Sequence, residues 1–137
     1  NLKSMNTSIN STVTLNKALA EVYTFLADLN NHQQLMPENI YNWSSTTDEA
    51  AFTIQNMAKL AIKVNSRIPN QEIVAIPSAE APFDLELKWE LKDLGNGTTE
   101  ATHTISAELN MMLKMLASGP LQQLADHQTA KLKALFS

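Results

Sequence analysis

The sequence contains no cysteine. That excludes disulfides, thiolate nucleophiles and cysteine-based zinc sites, and it fits a reducing compartment, so a cytoplasmic location is expected. Glycine occurs only at Gly95, Gly97 and Gly119. With so few glycines and no stretch rich in Gly, Pro or Ser, a second domain has no linker from which to start. Residues 1–137 are therefore expected to form a single domain. Cations are scarce too: 10 Lys and Arg stand against 14 Asp and Glu, for a net charge of −4. Phosphate backbones are bound by clustered Lys and Arg, so nucleic acid is not an expected partner. No apolar run approaches the roughly 20 residues of a spanning helix, so no membrane insertion is expected. The opening Asn1-Leu2-Lys3-Ser4-Met5 lacks the apolar stretch of a signal peptide.

Catalytic signatures are missing as well. Gly95-Asn96-Gly97 lacks the Lys-Ser/Thr and following helix of a phosphate loop, and no Gly-x-Ser-x-Gly elbow occurs. His32, His103 and His127 are scattered without spaced partners, so neither a metal nor a cofactor is expected. His32 and His127 read as surface residues.

What is present is alternation. Phe83, Leu85, Leu87, Trp89 and Leu91 alternate with Asp84, Glu86, Lys88, Glu90 and Lys92. A helix would scatter these apolar residues, whereas a strand puts them on one face. One face packed and one wet is the mark of an antiparallel sheet. A turn, Asp93-Leu94-Gly95-Asn96-Gly97, follows, with residues that tolerate positive φ. Ala101, His103, Ile105, Ala107 and Leu109 then share a face. A hairpin turning about Asn96 sets Trp89 opposite His103 and Leu87 opposite Ile105, and a one-residue slip would turn a whole apolar set to solvent. Further strands are expected over 4–15, 40–43, 50–55, 59–67 and 73–76, giving about seven at meander spacing. In the piece 71–76 the facing is ambiguous, and Glu72 reads as solvated.

Two helical regions bracket the strands. Asn16 is a candidate N-cap for a helix carrying Leu19, Val22, Phe25, Leu26 and Leu29 at helical spacing. Asn30-Asn31 is expected to end it, with a short second helix from His32 to Met36 before Pro37. Residues 111–136 are helical, with a stripe of Leu121, Leu124, Gln128, Leu132 and Leu135. Gly119-Pro120 is expected to kink or restart the helix, so its main body should begin near Pro120. An amphipathic sheet needs a cover, and this last helix is the largest on offer.

This order resembles the helix-grip fold of the START-related, Bet v 1-like superfamily, which includes polyketide cyclase-like proteins. The resemblance spans nearly the whole chain. It rests on the first strand followed by Val22, Phe25, Leu26 and Asp28, then Pro37; on Gly95-Asn96-Gly97-Thr98-Thr99 before a long strand; and on a closing helix opening with Pro120-Leu121. Many relatives carry an aromatic residue before that first proline. Here Leu35-Met36 precede it, so a ligand contact there would be aliphatic. The resemblance implies an α+β fold: a seven-stranded antiparallel sheet wrapped around a long C-terminal helix, with two short helices after strand 1. It also implies an apolar cavity between sheet and helix, holding a lipid, quinone or polyketide-like molecule.

His103 is the one titratable side chain on the apolar face of the best strand pair. An unpaired buried polar group costs roughly 1–3 kcal/mol, so the ring needs a partner: hydroxyl, backbone, water or ligand. It could orient a ligand or act as acid or base, or it could be a satisfied core histidine. Trp43, Phe52, Phe83 and Trp89 supply aromatic surface for a planar ligand or for a solid core. Met111, Met112 and Met115 suit a pocket mouth, or filler at a helix end. The expected ligand contacts are Trp43, Phe52, Phe83, Leu87, Trp89, His103, Ile105, Leu124 and Gln128. The leading expectation is binding or transport of a small hydrophobic molecule. The alternatives are a protein-interaction module of the same fold, with a homodimer among its assemblies, and a cyclase or dehydratase using His103 as acid/base.

Overall fold

The computed structural model describes residues 4–81 and 83–136, with the backbone alone for Ser4 and Met5. The chain runs β1 (Ser4–Leu15), α1 (Leu19–Ala27), a 3-10 helix (Leu29–Leu35), β2 (Ile40–Ser45), β3 (Glu49–Ile54), β4 (Ala58–Ile68), β5 (Glu72–Pro77), β6 (Leu85–Gly95), β7 (Thr98–Asn110) and α2 (Met111–Leu135). The strands form one sheet in the order β1-β7-β6-β5-β4-β3-β2, with every neighbouring pair antiparallel. This is the α+β helix-grip arrangement. The two helices after β1 carry the chain from one sheet edge to the other, and α2 packs against β1, β7 and the 3-10 helix.

The β6–β7 hairpin has the expected register, with Leu87 opposite Ile105 and Trp89 opposite His103. Its turn places Gly95, Asn96 and Gly97 all at positive φ, a run that β-branched or bulky residues could not adopt without strain. The odd-numbered residues of β7 from Thr99 to Leu109 are all buried. β6 starts at Leu85 rather than Phe83, which sits in a bend, and Pro82 lies outside the described residues. On β5, Ile73 and Ala75 turn to the inner face, so Glu72 belongs to the other face, half-buried opposite Glu90.

Three helix boundaries differ from expectation. Ala18, not Asn16, is the N-cap of α1 and makes no side-chain cap bond. The chain before it is pinned instead by Thr99 Oγ1, which donates to the Lys17 carbonyl at 2.7 Å. α1 ends at Ala27, before Asn30-Asn31, because Asp28 caps the 3-10 helix by accepting from Asn30 N at 3.0 Å. Arg67 then donates to the freed Ala27 carbonyl from Nε at 3.0 Å and Nη2 at 2.8 Å, which satisfies a helix end that would otherwise lack a donor.

The third difference is in α2, which begins at Met111 and runs through Pro120 without a break. Asn110 Oδ1 caps it, accepting from Leu113 N at 2.9 Å, so nucleation does not wait for the proline. The backbone bond that Pro120 removes is the one to Leu116, which stands 67% exposed, where water can serve its carbonyl. The buried face of α2 is Ala117, Leu121, Ala125, Gln128, Thr129 and Leu132, one stripe at helical spacing. Its Ala117 and Ala125 share one core cluster with Ala107 of β7.

The core has two parts. One cluster, around Leu15, Val22, Leu26, Ile73, Trp89, Leu91 and Leu132, seals the end of the sheet covered by α1. The other runs from Leu29 and Ile40 through Phe52, Ile62 and Ile105 to Leu121. Each fully buried Leu, Ile or Val contributes about 1.5–3 kcal/mol. The cavity described next lies where these two clusters meet.

Candidate functional site

Between the inner sheet face and α2 lies an apolar cavity of about 50 Å³. An engineered cavity of about 150 Å³ admits benzene, so this one holds a few atoms unless its walls move. Three of its twenty lining residues, His32, His103 and Gln128, are polar or ionisable apart from the tryptophans. Among the wall residues are Met36, Leu87 and Leu124, unbranched at Cβ and half-buried. Such side chains can change rotamer at low cost.

All nine expected contact residues stand around this space. β6 contributes Leu87 and Trp89, β7 contributes His103 and Ile105, and α2 contributes Leu124 and Gln128. Trp43 and Phe52 arrive from β2 and β3 and stack with ring centroids 5.3 Å apart at 13°, while Phe83 reaches in from the bend before β6. Trp43 does so because of a bulge. Ile40 and Trp43 both line the cavity, although residues three apart on a regular strand face opposite ways. Asn42 takes φ 56 and the β2–β3 register shifts between Tyr41 and Ser44, turning the indole inward. Its Nε1 donates to Ser45 Oγ at 2.9 Å, which in turn donates to Asn30 Oδ1 at 2.8 Å.

His103 is 2% exposed. Its ring stacks on Trp89, with centroids 4.2 Å apart and planes 14° from parallel, and its Nδ1 lies 3.1 Å from the Lys88 carbonyl oxygen. A carbonyl only accepts, so Nδ1 carries the proton and, in the neutral ring, Nε2 keeps a bare lone pair. Burial pushes the His103 pKa down to about 4; the Lys88 carbonyl and the Gln128 side chain pull it upward, and His32 pushes it further down. The ring is neutral at neutral pH.

His32, read from the sequence as a surface residue, is buried and lines the cavity. Its Nε2 donates to the Leu26 carbonyl at 2.8 Å, leaving Nδ1 as the bare nitrogen. Burial holds its pKa below the usual value against the opposing pull of the Leu26 carbonyl and Asp28. The signal for it was available: Leu29, His32 and Leu35 are spaced by three and all buried, the eclipsed stacking of a 3-10 turn. Met36 follows them onto the wall, an aliphatic contact where an aromatic one was conceivable. Gln128 Nε2 donates weakly to Met36 Sδ at 3.6 Å, and its Oε1 finds no partner among the described residues. His127 is exposed. Met111, Met112 and Met115 neither line the cavity nor fill a gap, being 57%, 61% and 79% exposed.

No protein-family model matches this sequence, and no curated protein matches it significantly. Solved structures do resemble it. A START superfamily protein from Mycobacterium smegmatis is 17% identical, with 93% of this chain and 98% of that one covered at a TM-score of 0.66. The di-domain ARO/CYC StfQ from the steffimycin biosynthetic pathway is 9% identical, with 95% of this chain and 50% of that one covered at 0.72. The Aha1 dimer from Colwellia psychrerythraea is 16% identical, with 95% of this chain and 96% of that one covered at 0.66. At these identities the likeness establishes the fold alone: the chain has the START-like, helix-grip fold. Among the described residues no helix is long and apolar enough to cross a membrane.

Proposed function

We propose that this protein binds a small hydrophobic molecule in the cavity between the sheet and α2, with Trp43, Phe52, Phe83, Leu87, Trp89, His103, Ile105, Leu124 and Gln128 as the contacts. The observation that carries this reading is an interior space with an almost wholly apolar wall, set inside a fold shared with a START superfamily protein and with the di-domain ARO/CYC StfQ. At about 50 Å³ the space is small, so binding proceeds by widening, with Met36, Leu87 and Leu124 giving way. An acid/base role for His103 is the weaker alternative, because a base with a pKa of about 4 accepts protons poorly at neutral pH. Gentle purification followed by organic extraction and mass spectrometry tests the main reading. A stoichiometric apolar compound is expected, and its absence together with silence of the Trp43 and Trp89 fluorescence toward a panel of hydrophobic ligands would overturn it.

A second reading is favoured by a separate observation. The first two turns of α2 expose Met111, Met112, Met115 and Leu116 together, beside an open groove of about 450 Å³ that includes Met57, Phe83 and Leu113. Clustered exposed apolar side chains mark interaction sites, and a neighbour of the same fold was solved as a dimer. This reading predicts self-association or capture of another chain through that helix end. Sedimentation of the protein with and without Met115→Glu tests it: an association that the variant abolishes supports it, and a monomer in both cases removes the homodimer.

A further inference from the structure

The cavity wall is apolar, but the few polar atoms on it have a common character. His103 Nδ1 is committed to the Lys88 carbonyl, so Nε2 presents a lone pair. His32 Nε2 is committed to the Leu26 carbonyl, so Nδ1 presents another. Gln128 is 4% exposed, lines the cavity, and keeps Oε1 without a partner among the described residues. Its side chain lies beside the His103 ring. Two donors on the same wall are already used: the Trp43 indole N–H by Ser45 Oγ, and one Gln128 amide N–H by the Met36 sulfur. The second Gln128 N–H, beside His103, and the Trp89 indole N–H are the wall's other donors, so acceptors still outnumber free donors, and Gln128 Oε1 is the one left buried with no partner among the described residues. A buried acceptor without a donor is costly, and two acceptors side by side cannot satisfy each other.

Resting on the ligand-binding reading above, we infer that the ligand is a small apolar molecule carrying a hydrogen-bond donor, a phenol or alcohol hydroxyl, which it directs at His103 Nε2 and Gln128 Oε1. The rest of the molecule lies against Ile105, Leu124 and the Trp43–Phe52 stack. A ligand whose only polar atom is an acceptor, such as an aldehyde, ketone or ether, leaves Gln128 Oε1 without a donor and is bound more weakly. The site sorts apolar compounds by the sign of their polar group rather than by shape, which suits walls that yield.

Phenol, fluorobenzene and benzaldehyde test this, as rings of similar bulk with a donor, almost no polar group, and an acceptor. Their affinities for the intact protein are read by calorimetry and by Trp fluorescence. Phenol is expected to bind on the order of tenfold more tightly than fluorobenzene, the scale of one buried hydrogen bond, and benzaldehyde more weakly than either. In Gln128→Leu and in His103→Phe the phenol-to-fluorobenzene ratio should fall toward one. Should either variant not fold, nitrogen NMR of the wild-type protein supplies the second readout: phenol should shift the His103 Nε2 resonance toward the hydrogen-bonded position, and fluorobenzene should not. If fluorobenzene and benzaldehyde bind as well as phenol, the donor requirement is wrong while ligand binding stands. If none of the three binds, both fail.

Discussion

Lowering the pH from about 8 to about 5 should cost this fold about 2 kcal/mol through His103 alone. The ring begins from an ordinary value of 6.5 in the unfolded chain and is held down to about 4 when folded. Between those values the unfolded chain binds the proton and the folded one resists it. Stability is therefore full above the unfolded value, falls as pH drops through it, and levels off below the folded one. The full span is about 3 kcal/mol, of which about 2 has accrued by about pH 5. His32 is depressed in the same direction and adds to the loss. Urea unfolding at a series of pH values reads the effect as a fall in midpoint of roughly 1 M at unchanged slope. The informative comparison is His103→Phe, which keeps a ring against Trp89 but cannot titrate. Its stability should be lower throughout, since it abandons the Lys88 carbonyl, but its pH dependence should flatten by the His103 share. Equal pH dependence in variant and wild type would refute the reasoning, because the loss would then arise elsewhere.

Other substitutions follow from the packing. Ala75→Val adds two methyl groups on the cavity wall; filling about 50 Å³ should raise stability by about 1 kcal/mol while weakening ligand binding at least tenfold, read by urea unfolding and fluorescence titration on the same samples. Ile105→Ala, at a site 1% exposed, should destabilise by about 2–5 kcal/mol, again read in urea. Arg67→Met should cost about 1–3 kcal/mol, mostly by leaving the Ala27 carbonyl without its donors. The ion pair it loses to Asp48, which is 68% exposed, adds little, so Asp48→Asn should be nearly neutral in the same assay. Met112→Glu or Met115→Glu should change stability by less than about 0.5 kcal/mol.

The register of β6 and β7 was legible because both faces of the ribbon carry information: over 85–92 and 100–109 every odd position is apolar or His103, every even one polar, and the turn residues admit one centre. Seven of the nine cavity residues followed from that same face plus the stripe on α2, while Trp43 and Phe52 were named for their aromatic rings. Three features were hidden for separable reasons. The start of α2 was misread because the proline rule assumes the lost backbone bond is buried, whereas Leu116 faces solvent. His32 was placed outside because the chain was divided at Asn30-Asn31, with His32 opening a separate short helix, which hid the period of three over Leu29, His32 and Leu35. The inward turn of Trp43 depends on a bulge at Asn42, and one residue at positive φ leaves no trace in a hydropathy pattern. Cavity size is a different matter. It is a small difference between large packed volumes, set by the rotamers of Met36, Leu87 and Leu124, and no alternation of residue types encodes it.

The central claim, an apolar interior between sheet and α2 that opens to take a ligand, is tested most directly by methyl NMR. The protein would be labelled at Ile, Leu and Met methyls and titrated with phenol. The account predicts saturable shifts at Met36, Leu87, Ile105 and Leu124, with the methyls of Leu15, Leu26 and Leu132 in the sealed cluster left in place. Shifts confined to Met111, Met112 and Met115, or none at any concentration, would contradict it.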